Sequence, residues 1–236
     1  MKSCKRVALY LFALLFVAGC ASTDITSRDQ AVTGEIPRPN TTWVYDFAAT
    51  PADVPAESAL TGLYSEHSSP QTAGQIATGR KVGTEIAAQL VEQINAMGMS
   101  AKFAGPETRP QIDDLVIHGY LLSVVQGDAD KRVVIGFSAG ESELKVAAEG
   151  FQMTAHGLRK IGSGSTDSTG SKTPGAGVGL LSLLATHNPL GLIVSSGMKA
   201  YGEKSGSDTI EGRAEQTATE IADVLKKRFQ QEGWIE

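Results

Sequence analysis

One cysteine in this chain sits in a setting that commits it to chemistry. Lys2, Lys5 and Arg6 precede an apolar run from Val7 to Val17, which closes in Val17-Ala18-Gly19-Cys20. A basic start, about a dozen apolar residues and small residues before a cysteine form the signal of a bacterial lipoprotein. The run is too short for a membrane-spanning helix, which needs roughly 20 residues. In this chemistry the Cys20 sulfur receives a diacylglyceryl group, cleavage after Gly19 frees the Cys20 amine, and a third acyl chain follows. Each buried methylene contributes about 0.8 kcal/mol, so two or three chains anchor a protein stably where one does not. The plainer alternative is a signal removed after Gly19 that leaves Cys20 as an ordinary thiol. Ala21 and Ser22 follow with no Asp at the second position, which in a Gram-negative cell favours the outer membrane, with the domain facing the periplasm.

A second candidate is Ser138. Gly136-Phe137-Ser138-Ala139-Gly140 matches the G-x-S-x-G nucleophile elbow, in which glycines permit a strained turn that raises the serine above a sheet. Val133-Val134-Ile135 would supply the strand before it, and Asp167 and His187 follow in the order Ser, Asp, His. Against a hydrolase, Asp167 falls in a Gly/Ser-rich stretch and His187 in an apolar one. Fewer than 100 residues follow the serine, without alternating strand–helix units. The alternative is a small-residue turn packed closely on a neighbour.

Other chemistry is weakly supported. His67, His118, His156 and His187 are scattered, with no second His or Cys at ligand spacing, so no metal is expected. His118, within an apolar stretch, reads as a satisfied core or edge residue. Asp113-Asp114 and the pair Asp128/Asp130 read as solvated turn residues. No G-x-G-x-x-G follows a strand and no Walker pattern occurs, so no nucleotide cofactor is expected. Cys4 lies in the segment that cleavage removes, which leaves no thiol pair for a disulfide. The first 19 residues hold three of the 21 Lys and Arg and none of the 26 Asp and Glu, so the mature chain carries a formal charge of −8. Such an acidic chain is a poor partner for nucleic acid.

The elements that would position these residues follow from periodicity. Residues 1–19 are the signal, 20–42 a polar tether with Gly34, Pro37 and Pro39, and 43–236 one domain. Trp43 to Phe47 alternates, which predicts a strand with three aromatics on one face. Thr50 to Gln75 is rich in Pro, Ser and Ala and reads mostly as loop. Val82, Ile86, Leu90, Ile94 and Met97 recur at helical spacing, and Gly98 stands where a left-handed cap belongs. Met99 to Phe103 reads as a short strand. Leu115 to Val125 is apolar in both alternating sets, as in a strand covered on both faces. Leu144 to Ala155 and Leu158 to Ser165 read as two strands joined around His156-Gly157. Ile161 to Gly179 reads as a mobile loop, within a Gly-rich insertion over 161–205. Asp208 and Glu211 resemble a capping box for a last helix that presents Ile210, Ala214, Thr217, Ile221 and Leu225 on one face. The fold class is α+β: one mixed or antiparallel sheet of about four to five strands with two main helices packed on it.

Thr173 to Met198 contains no charged residue and is long enough to cross a bilayer. Its glycines and His187-Asn188-Pro189 break it, however, so two short apolar arms joined by a polar turn fit better than one helix. Such a hairpin would pack on its own domain, touch a partner or dip into the membrane.

The strand from Trp43 to Phe47, the block from Gly127 through Lys131-Arg132 to Gly136-Phe137-Ser138-Ala139-Gly140, and Ser142-Glu143-Leu144 resemble a bacterial lipoprotein family, domain of unknown function four-four-one-zero. In that family an Arg precedes a Gly-Phe-Gly-Ala-Gly motif, followed by a small residue and a strand. The resemblance runs from about Trp43 to Phe229. This chain departs at Ser138, where the family usually has glycine, which implies that Ser138 is not an inherited nucleophile. The family has no assigned reaction. Its fold is similar to that of envelope lipoprotein domains such as the curli secretion lipoprotein and the periplasmic part of the Tol system, which implies a scaffold or assembly role by analogy. The expected protein is a lipid-anchored, non-enzymatic envelope protein with no cofactor, held to the membrane through Cys20 and acting on an envelope partner or on itself. The alternatives are an auxiliary lipoprotein of an envelope export or lipid-transport system, and a serine hydrolase using Ser138.

Overall fold

In a computed structural model, residues 22–31, 36–56, 58, 72–125, 143–169, 193–195 and 209–236 are described. In chain order they form β1 (Ser22–Gln30), β2 (Thr42–Tyr45), a 3₁₀ turn (Pro51–Asp53), α1 (Ala73–Ala96), β3 (Ala101–Ala104), β4 (Leu115–Val125), β5 (Glu143–Thr154), β6 (Gly157–Thr169), β7 (Ile193–Ser195) and α2 (Ile210–Gln231). The architecture is α+β. β2 to β6 form a five-stranded mixed sheet, which β1 extends beside β6 and β7 joins alongside β4.

β4 is central because it is apolar on both faces. It pairs antiparallel with β5 along its whole length. On its other side it runs parallel to β2 over Leu115–Ile117 and to β7 over Ser123–Val125. Both helices cover one face. Val82, Ile86, Leu90 and Ile94 of α1 and Ile210, Ala214, Ala218 and Ala222 of α2 pack with Val44, Ile117, Val124, Leu144 and Val146 of the sheet. Spacing of four puts each set on a single stripe, and burying that stripe is what holds an amphipathic helix. The helices run side by side in the same direction, joined by Lys81 to Glu211 at 3.2 Å and by Gln93 Nε2 donating to Thr219 Oγ1 at 2.8 Å.

The helix ends are capped in detail. Thr72 Oγ1 accepts from Gln75 N and Gln75 Oε1 accepts from Thr72 N, a reciprocal box that starts α1 at Ala73, within the stretch expected to be loop and well before the stripe begins at Val82. Gly98 has φ +82°, the left-handed position expected of it. Asn95 then fastens the helix end to β3: its amide bridges Ala101 N and Ala101 O at 2.9 and 3.0 Å. At α2 the expectation needs correction. The cap is Thr209, not Asp208, because Thr209 Oγ1 accepts from Gly212 N.

Three further expectations change. Phe47 does not share a face with Trp43 and Tyr45, because β2 ends at Tyr45. The chain turns, and Ala48 rejoins the sheet, donating to Gly119 O and accepting from Leu121 N. This turns the Phe47 ring into the helix-side core, where Gly83 of α1 and Gly119 of β4 leave it room. A Cβ on Gly119 would stand 2.1 Å from the ring, and one on Gly83 would stand 2.2 Å from the Phe47 carbonyl oxygen. Residues 161–169 are strand rather than loop, paired to β5 on one side and to β1 on the other. Ser22–Gln30, assigned above to the tether, is itself a strand, nine residues antiparallel to β6 with a register shift between Ile25 and Ser27. The tether composition reads as loop because backbone pairing, not side-chain burial, recruits an edge strand.

Candidate functional site

The face of the sheet away from the helices carries most of the described buried polar chemistry. The two-residue period of β5 places Ala147, Glu149 and Phe151 there, opposite Tyr120, His118 and Val116 of β4. Residues 48–56 and Ser58 lie over this face: Ala48 and Val54 pack with Tyr120 and Ala147.

Glu149 is the centre of the arrangement and is 1% exposed. Its Oε2 accepts from Ser58 Oγ at 2.7 Å and from Tyr120 OH at 2.9 Å, and its Oε1 accepts from Lys160 Nζ at 2.6 Å. Burial pushes this carboxyl up, yet the hydrogen bonds from Lys160, Ser58 and Tyr120 outweigh burial and hold it below the usual carboxylate range. A carboxylate so well satisfied is a weak base, and Ser58 faces an anion rather than a proton acceptor of matched pKa. The group does something mechanical instead: it ties Ser58 to β4, β5 and β6 at once.

Beside it His118 is buried, stacked on Tyr45 with ring centroids 4.6 Å apart, and edge-on to Phe151 at 5.7 Å. The reading of His118 as a core residue therefore holds. Asp114 does not behave as expected. It is 3% exposed rather than solvated, and accepts from Thr41 N, Gln111 N and Trp43 Nε1 at 3.1, 2.8 and 2.9 Å. It thereby fixes the starts of β2 and β4 beside each other. Asp113, at φ +73°, accepts from the Gln152 amide, whose oxygen accepts from Arg159.

Of the residues singled out in the sequence, Cys20, the Gly136–Gly140 motif with Ser138, His67, His187, Asp128 and Asp130 lie outside the described residues. So do most of 161–205 beyond Thr169 and the proposed hairpin apart from β7. Asp167 lies within β6, its backbone opposite Lys145 and Asp24. Among the described residues no cluster of three metal-ligating side chains occurs, and no helix is long and apolar enough to cross a membrane. Sequence reasoning missed Glu149. A signal existed: it is the one acid at an inward position between Ala147 and Phe151, and a buried acid needs partners.

Comparison with known proteins places the chain. The family described as Domain of unknown function (DUF4410) matches residues 42–186. No match is found among curated proteins. Two solved structures are similar at a distance, a PelC dodecamer from Paraburkholderia phytofirmans and a point variant of it. They are 15% and 14% identical, with TM-scores of 0.34 and 0.36. The matches cover 68% and 70% of this chain and 95% and 98% of the others. Likeness at this level says nothing of what this chain does.

Proposed function

We propose that this chain, which belongs to the DUF4410 family, is a lipid-anchored protein of the cell envelope that works as a non-enzymatic scaffold through protein contacts. The observation that carries the reading is Val17-Ala18-Gly19-Cys20 behind a short basic and apolar leader. Diacylglyceryl transfer to the Cys20 sulfur, cleavage after Gly19 and acylation of the new amine would leave two or three chains in the bilayer, enough for stable attachment. The residues after the cysteine favour the outer membrane, with the domain in the periplasm.

The non-enzymatic part is supported by what the buried polar residues do. Glu149, Ser58, Tyr120 and Lys160 satisfy one another, and Asp114 is spent on backbone amides and an indole, so both sets fasten elements together. Two experiments test the reading. Fractionation of cells that carry Cys20→Ser should move the protein from the membrane to the soluble periplasm. Labelling with a fluorophosphonate probe should give no adduct; an adduct that disappears in Ser138→Ala would replace the scaffold reading with a hydrolase.

A further inference from the structure

The strand register defines a rim. Ser22 stands opposite Thr169, Ser168 opposite Leu144, Glu143 opposite Val125, and Val125 opposite Ser195. The start of β1, the end of β6, the start of β5 and the ends of β4 and β7 therefore share one end of the sheet. Both helices run away from it. α1 leads into β3, which starts level with β2 and β4 at the far end, and α2 runs parallel to α1. At the far end Thr154–Gly157 joins β5 to β6 and the few residues between Ala96 and Ala101 join α1 to β3, beside the longer connections that lead into β2 and β4. The 17 residues between β4 and β5 and the 23 between β6 and β7 join elements at the near rim instead.

Only Ala21 separates Cys20 from the first residue of β1. Two residue steps reach at most about 7 Å, so an acylated Cys20 cannot stand away from this rim.

Resting on the anchor proposed above, we infer that the rim formed by Ser22, Val125, Glu143, Thr169 and Ser195 lies against the phospholipid surface, with the His156 turn pointing away from it. The anchor is then a docking geometry and not a leash: the domain meets its membrane in one orientation, and the far rim is the one offered to the periplasm.

The test uses the lipidated full-length protein in liposomes that carry a headgroup spin label. Acylation blocks Cys20 and cleavage removes Cys4, so one introduced cysteine takes a fluorophore uniquely. Thr169→Cys and His156→Cys are compared, with Ser195→Cys and Ala155→Cys as a second pair should either of the first fail to fold by circular dichroism. From Gly157 to Thr169 the sheet spans about 40 Å, beyond the reach of contact quenching, so the fluorophore at 169 should be quenched and the one at 156 should lose that quenching. Equal quenching at the two positions, or stronger quenching at 156, would overturn the orientation. Flotation of the same samples separates the two ideas. Protein that floats with the reversed pattern sinks the orientation alone, and protein that does not float sinks the anchor and the orientation together.

Discussion

Glu149 shows how one side chain can decide the fate of a segment. Its folded pKa lies below that of an exposed glutamate, so its stabilising contribution is complete above the ordinary value of about 4.3 and is lost as pH falls through the folded value. Denaturant titrations from pH 7 down to about 3 should show a stability loss that is smaller in Glu149→Gln than in wild type. Glu149→Ala should cost about 2–4 kcal/mol at pH 7, because Lys160, Tyr120 and Ser58 lose their common acceptor. An equal acid response in wild type and Glu149→Gln would contradict this. Gly119 makes the complementary point about space. Gly119→Ala should cost about 1–3 kcal/mol by overpacking Phe47, and Phe47→Leu in the same chain should recover part of that loss. Additive losses in the double variant would show that the two do not compete for one volume. Neither site was plain in the sequence, since a glycine or a glutamate gives no sign of which face its neighbours leave it. The proposal for Cys20 rests on adjacent residues alone, so it could be made from the sequence.

Elements whose apolar periodicity is strong were legible in the sequence. β4 came out with the expected limits, Leu115–Val125, and both helices bury the stripes that the spacing indicates. β6 was half legible. Leu158 to Ser165 read as strand, but Gly162, Gly164 and the serines beyond suggested a loop. Flanked by β5 and β1, this stretch has ladder partners on both sides, and pairing prevails over weak intrinsic preference. β1 was hidden for a related reason: Ser22–Gln30 has one large apolar residue, Ile25, and no burial pattern to read. The helix pair carries its own prediction. Burial, then Glu211, and further on Glu215, raise the Glu85 carboxyl above its ordinary range, while Lys81 opposes them. A raised acid costs stability once it ionises, and the cost grows as pH rises from its unfolded value through its folded one. Glu85→Gln should therefore raise Tm at pH 7 by about 1–2 °C, with screening by solvent keeping the gain small. The gain should fade toward about pH 4, and a gain that persists at low pH would mean that something other than charge is responsible.

At the scale of the whole molecule the chain is polarised. The β5–β6 turn lies at one end of the sheet, and the connections from β4 to β5 and from β6 to β7 start from the other, where β1 begins two residues after Cys20. Sequence alone suggested a flexible leash of about 20 residues, since polar, Pro-containing composition is what a tether requires. Only the β1–β6 register places Ser22, two residues after Cys20, on the sheet itself. The account therefore expects an envelope protein whose lipid and fold form one unit, with partners recruited from the far side. Its central claim is the acylation of Cys20, and intact mass spectrometry of the protein purified from membranes tests it most directly. The account predicts a chain that begins at Cys20 and carries the added mass of a diacylglyceryl group, with or without a further acyl chain. An unmodified chain beginning at Cys20, or one that retains residues 1–19, would contradict it.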